Sequence, residues 1–276
     1  MAKVREPAVS GLFYPDDPKT LRKLIQRFLD EAQAPEKMGE VIGLVSPHAG
    51  YIYSGSVAAY GYKALVGKNY DSAVIIGPSH RAYFHGISVF RSGFYRTPLG
   101  IVEIDSDLSQ RIIGLGEGLV SEDSSPHIQE HSLEVQIPFL QVIFDNLKIV
   151  PIVMGVQERG TWRRTASILA NISTEAKKKI LLIASTDLSH YYSYEKAKKL
   201  DSLVLKNIED FDVDSMERDF ETERFEACGG GPMISVMLAS KMLGAEKGIV
   251  LRYATSGDTS GDRTSVVGYV SAVFTR

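Results

Sequence analysis

The sequence predicts an α/β fold in which a mostly parallel central sheet is flanked by helices, and three observations lead to that prediction. Short apolar runs alternate along the chain with stretches of helical spacing. Three of these runs lead directly into a segment that contains a histidine. The sequence shows no internal repeat and no low-complexity linker. Strands that alternate with helices are typical of a sheet covered on both faces, so residues 1–276 are expected to form a single domain.

The first half of the chain opens with an irregular arm and a helix. Asp17 is expected to cap a helix with Pro18 at its first position, where a missing N–H costs nothing. One apolar stripe at helical spacing follows, formed by Leu21, Leu24, Ile25, Phe28 and Leu29. The next predicted elements are a strand at 41–45, a helix at 55–65, a strand at 73–77, a hairpin-like excursion of the patches 87–90 and 100–104 about the turn 96–100, and a short helix from Asp105 or Asp107 to Gly114.

The second half continues the alternation. A second helical stripe consists of Leu133, Ile137, Leu140 and Phe144, and Pro138 interrupts it. Beyond it we expect a strand at 149–153, helices at 161–172, 193–208 and 233–243, and strands at 180–184, 249–254 and 266–274. The acidic segment 209–226 is expected to be solvated helix and loop, and 256–262 a polar loop.

Composition excludes several classes of function. The formal net charge is −3 and no Lys/Arg-rich run occurs, so neither nucleic acid nor a membrane surface is an expected partner. A single cysteine excludes an internal disulfide framework and fits a reducing compartment. No apolar run approaches the roughly 20 residues that span a bilayer, and the N-terminus lacks the apolar core of a signal peptide. A cytoplasmic protein is therefore expected, and its oligomeric state is left open.

Two histidines follow buried strands at the point where each strand ends. His48 comes after the run 41–45 and Pro47, and His80 comes after the run 73–77. Open α/β sheets place their ligand sites at the carboxyl ends of such strands. Imidazole suits Fe(II), Cu and Zn, so these two side chains are predicted metal ligands.

Cys228 is the third candidate ligand. It precedes three glycines, with Pro232 near the start of the helix that follows. Glycine allows close approach of the backbone, and a helix N-terminus favours the thiolate over the thiol. The alternative is that Cys228 is a small buried hydrophobic residue. Three protein ligands would leave an open position for water or substrate.

The remaining histidines divide into cleft candidates and surface candidates. Asp187 and His190 follow a third strand, and a carboxylate beside an imidazole can fix its tautomer and make it a general base; the alternative is a capping aspartate and a surface histidine. His131 either lines the cleft or is a first-turn polar residue. His85 and His127 lie in polar loops and are expected to face solvent.

Six motifs in register resemble the Memo family, which is named for a mediator of ErbB2-driven cell motility. The resemblance runs from about Arg5 to Phe274. Its motifs are Pro47-His48-Ala49-Gly50-Tyr51-x-Tyr53-x-Gly55, Gly77-Pro78-Ser79-His80, Tyr95-Arg96-Thr97-Pro98-Leu99, Glu130-His131-Ser132-Leu133-Glu134, Ser185-x-Asp187-x-x-His190 and Cys228-Gly229.

The resemblance implies a fold similar to that of the class III extradiol dioxygenases, which are non-haem iron enzymes. His48 and His80 would take the two histidine ligand positions, and Cys228 falls where those enzymes have a carboxylate. Asp187 and His190 match cleft positions, with His190 resembling the acid/base histidine. A thiolate is softer than a carboxylate and shifts metal preference toward Cu(I) or Zn. Animal members of the family have been associated with a phosphotyrosine peptide, but this sequence shows no arginine cluster for it.

Three hypotheses about the function remain open. The first is a redox protein or oxidoreductase that holds Fe(II) or Cu, with Zn as a further candidate, and uses Asp187, His190 and His131 as catalytic residues. The second is a non-catalytic protein that binds a peptide or small molecule in the same cleft. The third is a thiol hydrolase with Cys228 as nucleophile. The sequence specifies neither the substrate nor the metal.

Overall fold

A computed structural model describes residues 3–35 and 37–276. Its strands are β1 (Val4–Arg5), β2 (Val41–Ser46), β3 (Ser72–Pro78), β4 (Ile87–Val89), β5 (Phe94–Thr97), β6 (Gly100–Glu103), β7 (Val120–Ser121), β8 (Lys148–Met154), β9 (Ile180–Ser185), β10 (His190–Tyr192), β11 (Lys247–Thr255) and β12 (Val266–Thr275). Its helices are α1 (Pro18–Glu31), α2 (Tyr51–Lys63), α3 (Ser106–Leu115), α4 (Ser125–Ile128), α5 (Ile137–Ile143), α6 (Arg159–Glu175), α7 (Tyr194–Glu209), α8 (Val213–Glu221), α9 (Gly230–Met242) and α10 (Ser256–Ser260). Within the described residues, no helix has the length and apolar character needed to cross a membrane.

Within the described part of the chain the central sheet has nine strands. Eight of them follow in the order β10-β12-β2-β9-β3-β8-β4-β7, and β11 also pairs with β12. The α/β class with a large sheet between helices is therefore confirmed. The sheet itself is mixed rather than mostly parallel. Its four inner strands β2, β9, β3 and β8 run parallel, whereas β12 beside β2 and β4 beside β8 run antiparallel. Its described pairs are four parallel and four antiparallel.

The predicted hairpin exists, but with a different first strand. β5 and β6 pair antiparallel across the turn between Thr97 and Gly100, and β1 completes a three-stranded sheet. The patch 87–90, expected to form one arm, instead supplies β4 to the central sheet. The patch 87–90 is short and largely apolar, so its pattern predicts a strand without identifying the neighbour of that strand.

The core lies on both faces of the central sheet, because successive side chains of a strand point to opposite faces. In β3, Val74 and Ile76 pack in one apolar cluster together with side chains of α3, α6 and α9. Ala73 and Ile75 pack in the other cluster, with side chains of α1, α2 and α5. The inner strands are buried on both sides, which explains their continuous apolar runs.

The predicted helix starts are confirmed in part. Asp17 caps α1 as predicted, and its Oδ2 accepts the Thr20 N–H at 2.7 Å. α2 begins at Tyr51, four residues before the predicted start. Pro138 does not interrupt a helix, because α5 begins at Ile137 and proline is tolerated in a first turn. The predicted polar loop 256–262 contains the short helix α10.

The acidic segment 209–226 is more buried than predicted. Its helix α8 packs Val213 and Met216 inward together with Glu217. The Glu217 carboxylate accepts hydrogen bonds from Trp162 Nε1 at 2.9 Å and from Arg163 Nε at 2.8 Å. An acidic residue in a sequence is normally predicted to face solvent. Glu217 can be buried because hydrogen-bond donors on α6 satisfy its carboxylate.

His127 is buried, contrary to the expectation that it faces solvent. Its Nε2 lies 3.1 Å from the Ser88 carbonyl oxygen, which only accepts, so Nε2 carries the proton. Its Nδ1 lies 2.9 Å from the Tyr95 hydroxyl, which therefore donates to it. A neutral imidazole satisfies both partners, and burial lowers the pKa of His127 to about 3.

His127 is expected to make the protein less stable in mild acid. Between pH 6.5 and about 3 the unfolded imidazole binds a proton that the folded one does not, so stability falls as pH falls. Replacing His127 with glutamine should reduce this slope by up to about 1.4 kcal/mol per pH unit. Urea unfolding between pH 6.5 and 4 checks this. The exposed His85→Gln variant is the control, and an unchanged slope in His127→Gln would contradict the assignment.

Candidate metal centre

The carboxyl ends of three adjacent parallel strands meet at one edge of the sheet. β9 pairs with β2 on one side and with β3 on the other. His48 follows β2, His80 follows β3, and Asp187 follows β9. The predicted convergence of these chain segments is therefore present in the structure.

Three of the predicted residues form a compact group of donor atoms. One ligand atom each from His48, His80 and Cys228 lies within 4.8 Å of the other two. Cys228 Sγ lies 3.1 Å from His48 Nε2, and the two imidazole rings meet edge to face with centroids 5.2 Å apart. His48 is buried, whereas 29% of the His80 side chain is exposed. The group is thus reachable from one side.

Cys228 is held against the end of β9 by backbone contacts. The Cys228 N–H donates to the Asp187 carbonyl at 3.2 Å, and the Asp187 N–H donates to Cys228 Sγ at 3.2 Å. A Cβ on Gly229 would lie 2.3 Å from the Ser185 carbonyl oxygen. Glycine is needed at 229 for this close approach.

The thiol of Cys228 is not activated in the way the glycine-helix pattern predicted. Burial, followed by the charge of Asp187, raises the pKa of Cys228 well above its usual range. Desolvation disfavours a charged sulfur more than the start of α9 favours it. Without a metal, Cys228 is a thiol at neutral pH.

Asp187 and His190 do not pair with each other, contrary to the sequence-based expectation. Within the described residues, the Asp187 carboxylate accepts the His48 N–H at 2.7 Å, while His190 Nδ1 donates to the Leu188 carbonyl at 2.7 Å. A backbone carbonyl, not a carboxylate, therefore sets the tautomer of His190. Burial raises the pKa of Asp187 to about 7, against the lowering effect of the His48 N–H.

His131 lines the site. Its ring centroid lies 4.5 Å from that of His80 and 5.4 Å from that of His48. Phe13, from the N-terminal arm, packs against the His131 ring with centroids 4.9 Å apart. Burial lowers the pKa of His131 to about 4, so the imidazole is neutral at pH 7.

Glu130 is a site residue to which sequence reasoning assigned no role. Its buried carboxylate accepts from His80 Nδ1 at 2.9 Å, from the His80 N–H at 2.7 Å and from the Ser132 N–H at 2.9 Å. Burial would raise the pKa of Glu130, but the hydrogen bonds and charge of His80 outweigh burial and hold it at about 2. His80, Glu130 and His131 form a second group of donors within 4.8 Å. Because Glu130 already accepts three hydrogen bonds, it orients His80 and leaves His80 Nε2 for the first group.

A cavity of about 770 Å³ opens beside Cys228 and His190. Trp162, Phe220 and Phe225 supply aromatic surface in it, and α6 supplies one arginine, Arg159. Four carboxylates also line it, those of Glu158, Glu221, Glu223 and Glu226. The cavity has room for a ligand that reaches Cys228, and its excess of negative charge disfavours an anionic one.

Nearly the whole chain is similar to known proteins. A family model described as Memo-like protein matches residues 5–273. A MEMO1 family protein of Methanosarcina mazei is 40% identical over 272 residues, covering 98% of this chain and 99% of the relative. A MEMO1 family protein of Sulfolobus acidocaldarius is 40% identical over 283 residues, covering 98% and 99%. The solved structure of an uncharacterized protein from Escherichia coli K12 covers 86% of this chain and all of its own, with a TM-score of 0.56; its 14% identity bears on the fold alone.

Proposed function

The chain belongs to the Memo family, and we propose that it holds one Fe(II) or Cu ion between His48, His80 and Cys228. With this ion it acts as a metal-dependent redox protein. The observation that carries the proposal is the cluster of two imidazole nitrogens and one sulfur within 4.8 Å at the end of the inner strands. A Zn ion is the further candidate for the same donors.

The donor set fits such a metal. Thiolate and imidazole are ligands of Fe(II), Cu and Zn, and three protein ligands leave coordination positions open. Cys228 has to lose its proton when it binds the metal. The Asp187 N–H, 3.2 Å from the sulfur, donates to the thiolate and stabilises it.

Residues beside the cluster are placed to accept a proton from a ligand. The bound metal would supply one-electron chemistry and an open coordination position. His190 lines the cavity, and because its Nδ1 faces the Leu188 carbonyl, its Nε2 is left to accept a proton from a ligand. Burial lowers the pKa of His190 and keeps this nitrogen free at neutral pH. The other proposed catalytic residues also adjoin the cluster: Asp187 accepts the His48 N–H, and the His131 ring lies beside those of His48 and His80.

The cavity supports a small molecule or a peptide segment as the ligand, and it disfavours a phosphotyrosine. Among the described residues that line it, four carboxylates face a single arginine, Arg159. A phosphate needs converging arginines or backbone N–H groups, and like charges repel it. We therefore propose a neutral or cationic ligand. A non-catalytic protein that binds such a ligand in the same cavity is the second candidate.

A thiol hydrolase function with Cys228 as the nucleophile is disfavoured. Cys228 and His48 are within contact distance, as in nucleophilic cysteine sites. However, burial raises the pKa of Cys228 and lowers that of His48. The pair is therefore a thiol and a neutral imidazole, and not the thiolate–imidazolium pair that attacks acyl groups.

Metal uptake tests the proposed function. Protein prepared without an affinity tag and stripped by chelator should take up close to one equivalent of Fe(II) or Cu(I) under anaerobic conditions, measured by elemental analysis. His48→Ala should abolish tight uptake, while the exposed His85→Ala, outside the cluster, should keep it. Wild-type protein that takes up none of Fe(II), Cu(I) or Zn would defeat the metal proposal. Ligand affinity that survives complete metal removal would favour the binding protein.

A further inference from the structure

A buried chain of polar groups lies behind His48, on the side away from Cys228. It consists of Tyr62, Gln136, Ser185 and the Ser132 carbonyl, and each of these residues is at most 1% exposed. We infer that Ser185, held by Gln136, is a positioning residue that fixes His48 as the Nδ1–H tautomer and so presents the Nε2 lone pair toward Cys228 before any metal binds. Its consequence for metal affinity rests on the proposed function; the tautomer itself does not.

The side-chain amide of Gln136 has a fixed orientation. Its amide nitrogen lies 3.0 Å from the Pro47 carbonyl oxygen, and a carbonyl only accepts hydrogen bonds. Its amide oxygen accepts the Tyr62 hydroxyl at 2.6 Å. The amide is therefore held at both ends, and its nitrogen also donates to Ser185 Oγ at 2.8 Å.

The Ser185 hydroxyl hydrogen also points in a fixed direction. Ser185 Oγ lies 2.6 Å from the Ser132 carbonyl oxygen. Two oxygens this close need a hydrogen between them, and the carbonyl has none, so the single hydroxyl hydrogen points to Ser132. Ser185 Oγ is then an acceptor for every other partner.

The neutral His48 ring carries its proton on Nδ1. His48 Nδ1 lies 2.9 Å from Ser185 Oγ, whose hydrogen is already used, so Nδ1 has to be the donor. A neutral imidazole carries one N–H, which leaves Nε2 with a free lone pair. That nitrogen is the one 3.1 Å from Cys228 Sγ. Since these groups are buried, water does not compete for the hydrogen bonds.

The arrangement complements the one at His80, where the Glu130 carboxylate accepts from Nδ1. Both imidazoles are thus oriented with Nε2 toward the centre of the cluster. The Ser185 hydroxyl orients His48, and the Glu130 carboxylate orients His80. Partners of ligand histidines typically contribute about 10- to 100-fold to metal affinity. Ser185 is expected to contribute within that range.

The test is nitrogen NMR of the ¹⁵N-labelled, metal-free protein at pH 7, with the His48 signals assigned by their loss in His48→Ala. Long-range ¹⁵N–¹H correlations distinguish the two tautomers. Wild-type His48 should be the Nδ1–H form. Ser185→Ala should shift His48 toward Nε2–H, and Ser185→Thr, which keeps the hydroxyl, should restore Nδ1–H. Fe(II) affinity should fall about 10- to 100-fold in Ser185→Ala and recover in Ser185→Thr.

Ser271→Ala is the matched control. Ser271 is a buried serine in β12 whose Oγ has no hydrogen-bond partner among the described residues. It should change neither the tautomer nor the affinity. A wild-type His48 in the Nε2–H form, or an unchanged tautomer in Ser185→Ala, would overturn the inference. If Ser185→Ala does not fold, the wild-type spectrum decides. Should the protein bind no metal, the proposed function fails, while the NMR result still decides this inference.

Discussion

Replacing Cys228 with serine should lower the affinity for Fe(II) and Cu(I) by at least about 100-fold. The change keeps the side-chain volume nearly constant, but a serine hydroxyl does not ionise at neutral pH and is a poor ligand for a soft metal. Loss of a residue that only orients a ligand costs up to about 100-fold, so loss of the ligand itself should cost at least as much. Anaerobic titration in competition with a chelator measures the change.

Cys228→Asp sharpens this prediction. A carboxylate at this position would complete the two-histidine, one-carboxylate face that suits Fe(II). Iron binding should therefore return, while the affinity for Cu(I), which prefers sulfur, should stay low. Wild-type affinity for both metals in Cys228→Ser would show that the sulfur is not a ligand.

Replacing Arg5 with methionine should destabilise the protein by about 3–5 kcal/mol. Arg5 is buried and forms an ion pair with the buried Glu134. Its guanidinium also donates to the His127 carbonyl at 3.0 Å and to the Glu130 carbonyl at 2.6 Å. The variant leaves a buried carboxylate without its cation and two carbonyls without these donors. Urea unfolding at pH 7 measures the change in the free energy of unfolding.

Arg96→Met is the matched control, because Arg96 pairs with Glu6 at the surface, where both side chains are about half exposed or more. Exposed pairs contribute roughly 0–1 kcal/mol. A loss below about 1 kcal/mol in Arg5→Met would contradict the buried ion pair. The pair also has a role near the site, since Glu134 accepts the N–H groups of Ala8 and Val9 and so ties the arm that carries Phe13 to the segment next to His131.

The inner strands and the three cluster residues could be predicted from the sequence for physical reasons. A strand buried on both faces appears in the sequence as an unbroken apolar run, and the first titratable residue after it lies at the sheet edge. His48 and His80 are such residues. Cys228 could be singled out by the three glycines that follow it, of which Gly229 is required by its close approach to the Ser185 carbonyl oxygen.

The direction of the outer strands and the partners behind the ligands could not be predicted. An apolar run such as that of β12 is equally compatible with a parallel and an antiparallel neighbour. Ser185 lies 49 residues from Gln136 and 137 from His48 in sequence. Neutral hydrogen-bonding residues at such separations have no periodicity to detect. The burial of His127 and Glu217 depends on partners 32 and 55 residues away in sequence.

X-ray absorption spectroscopy of the Fe(II)-loaded wild-type protein tests the metal centre most directly. We expect one sulfur neighbour of the iron at about 2.3 Å, the length typical of metal–thiolate bonds, together with imidazole scattering from two histidines. The sulfur should vanish in Cys228→Ser. A first shell of oxygen and nitrogen alone in the wild-type protein would contradict the assignment of Cys228 as a ligand and, with it, the His48, His80 and Cys228 centre.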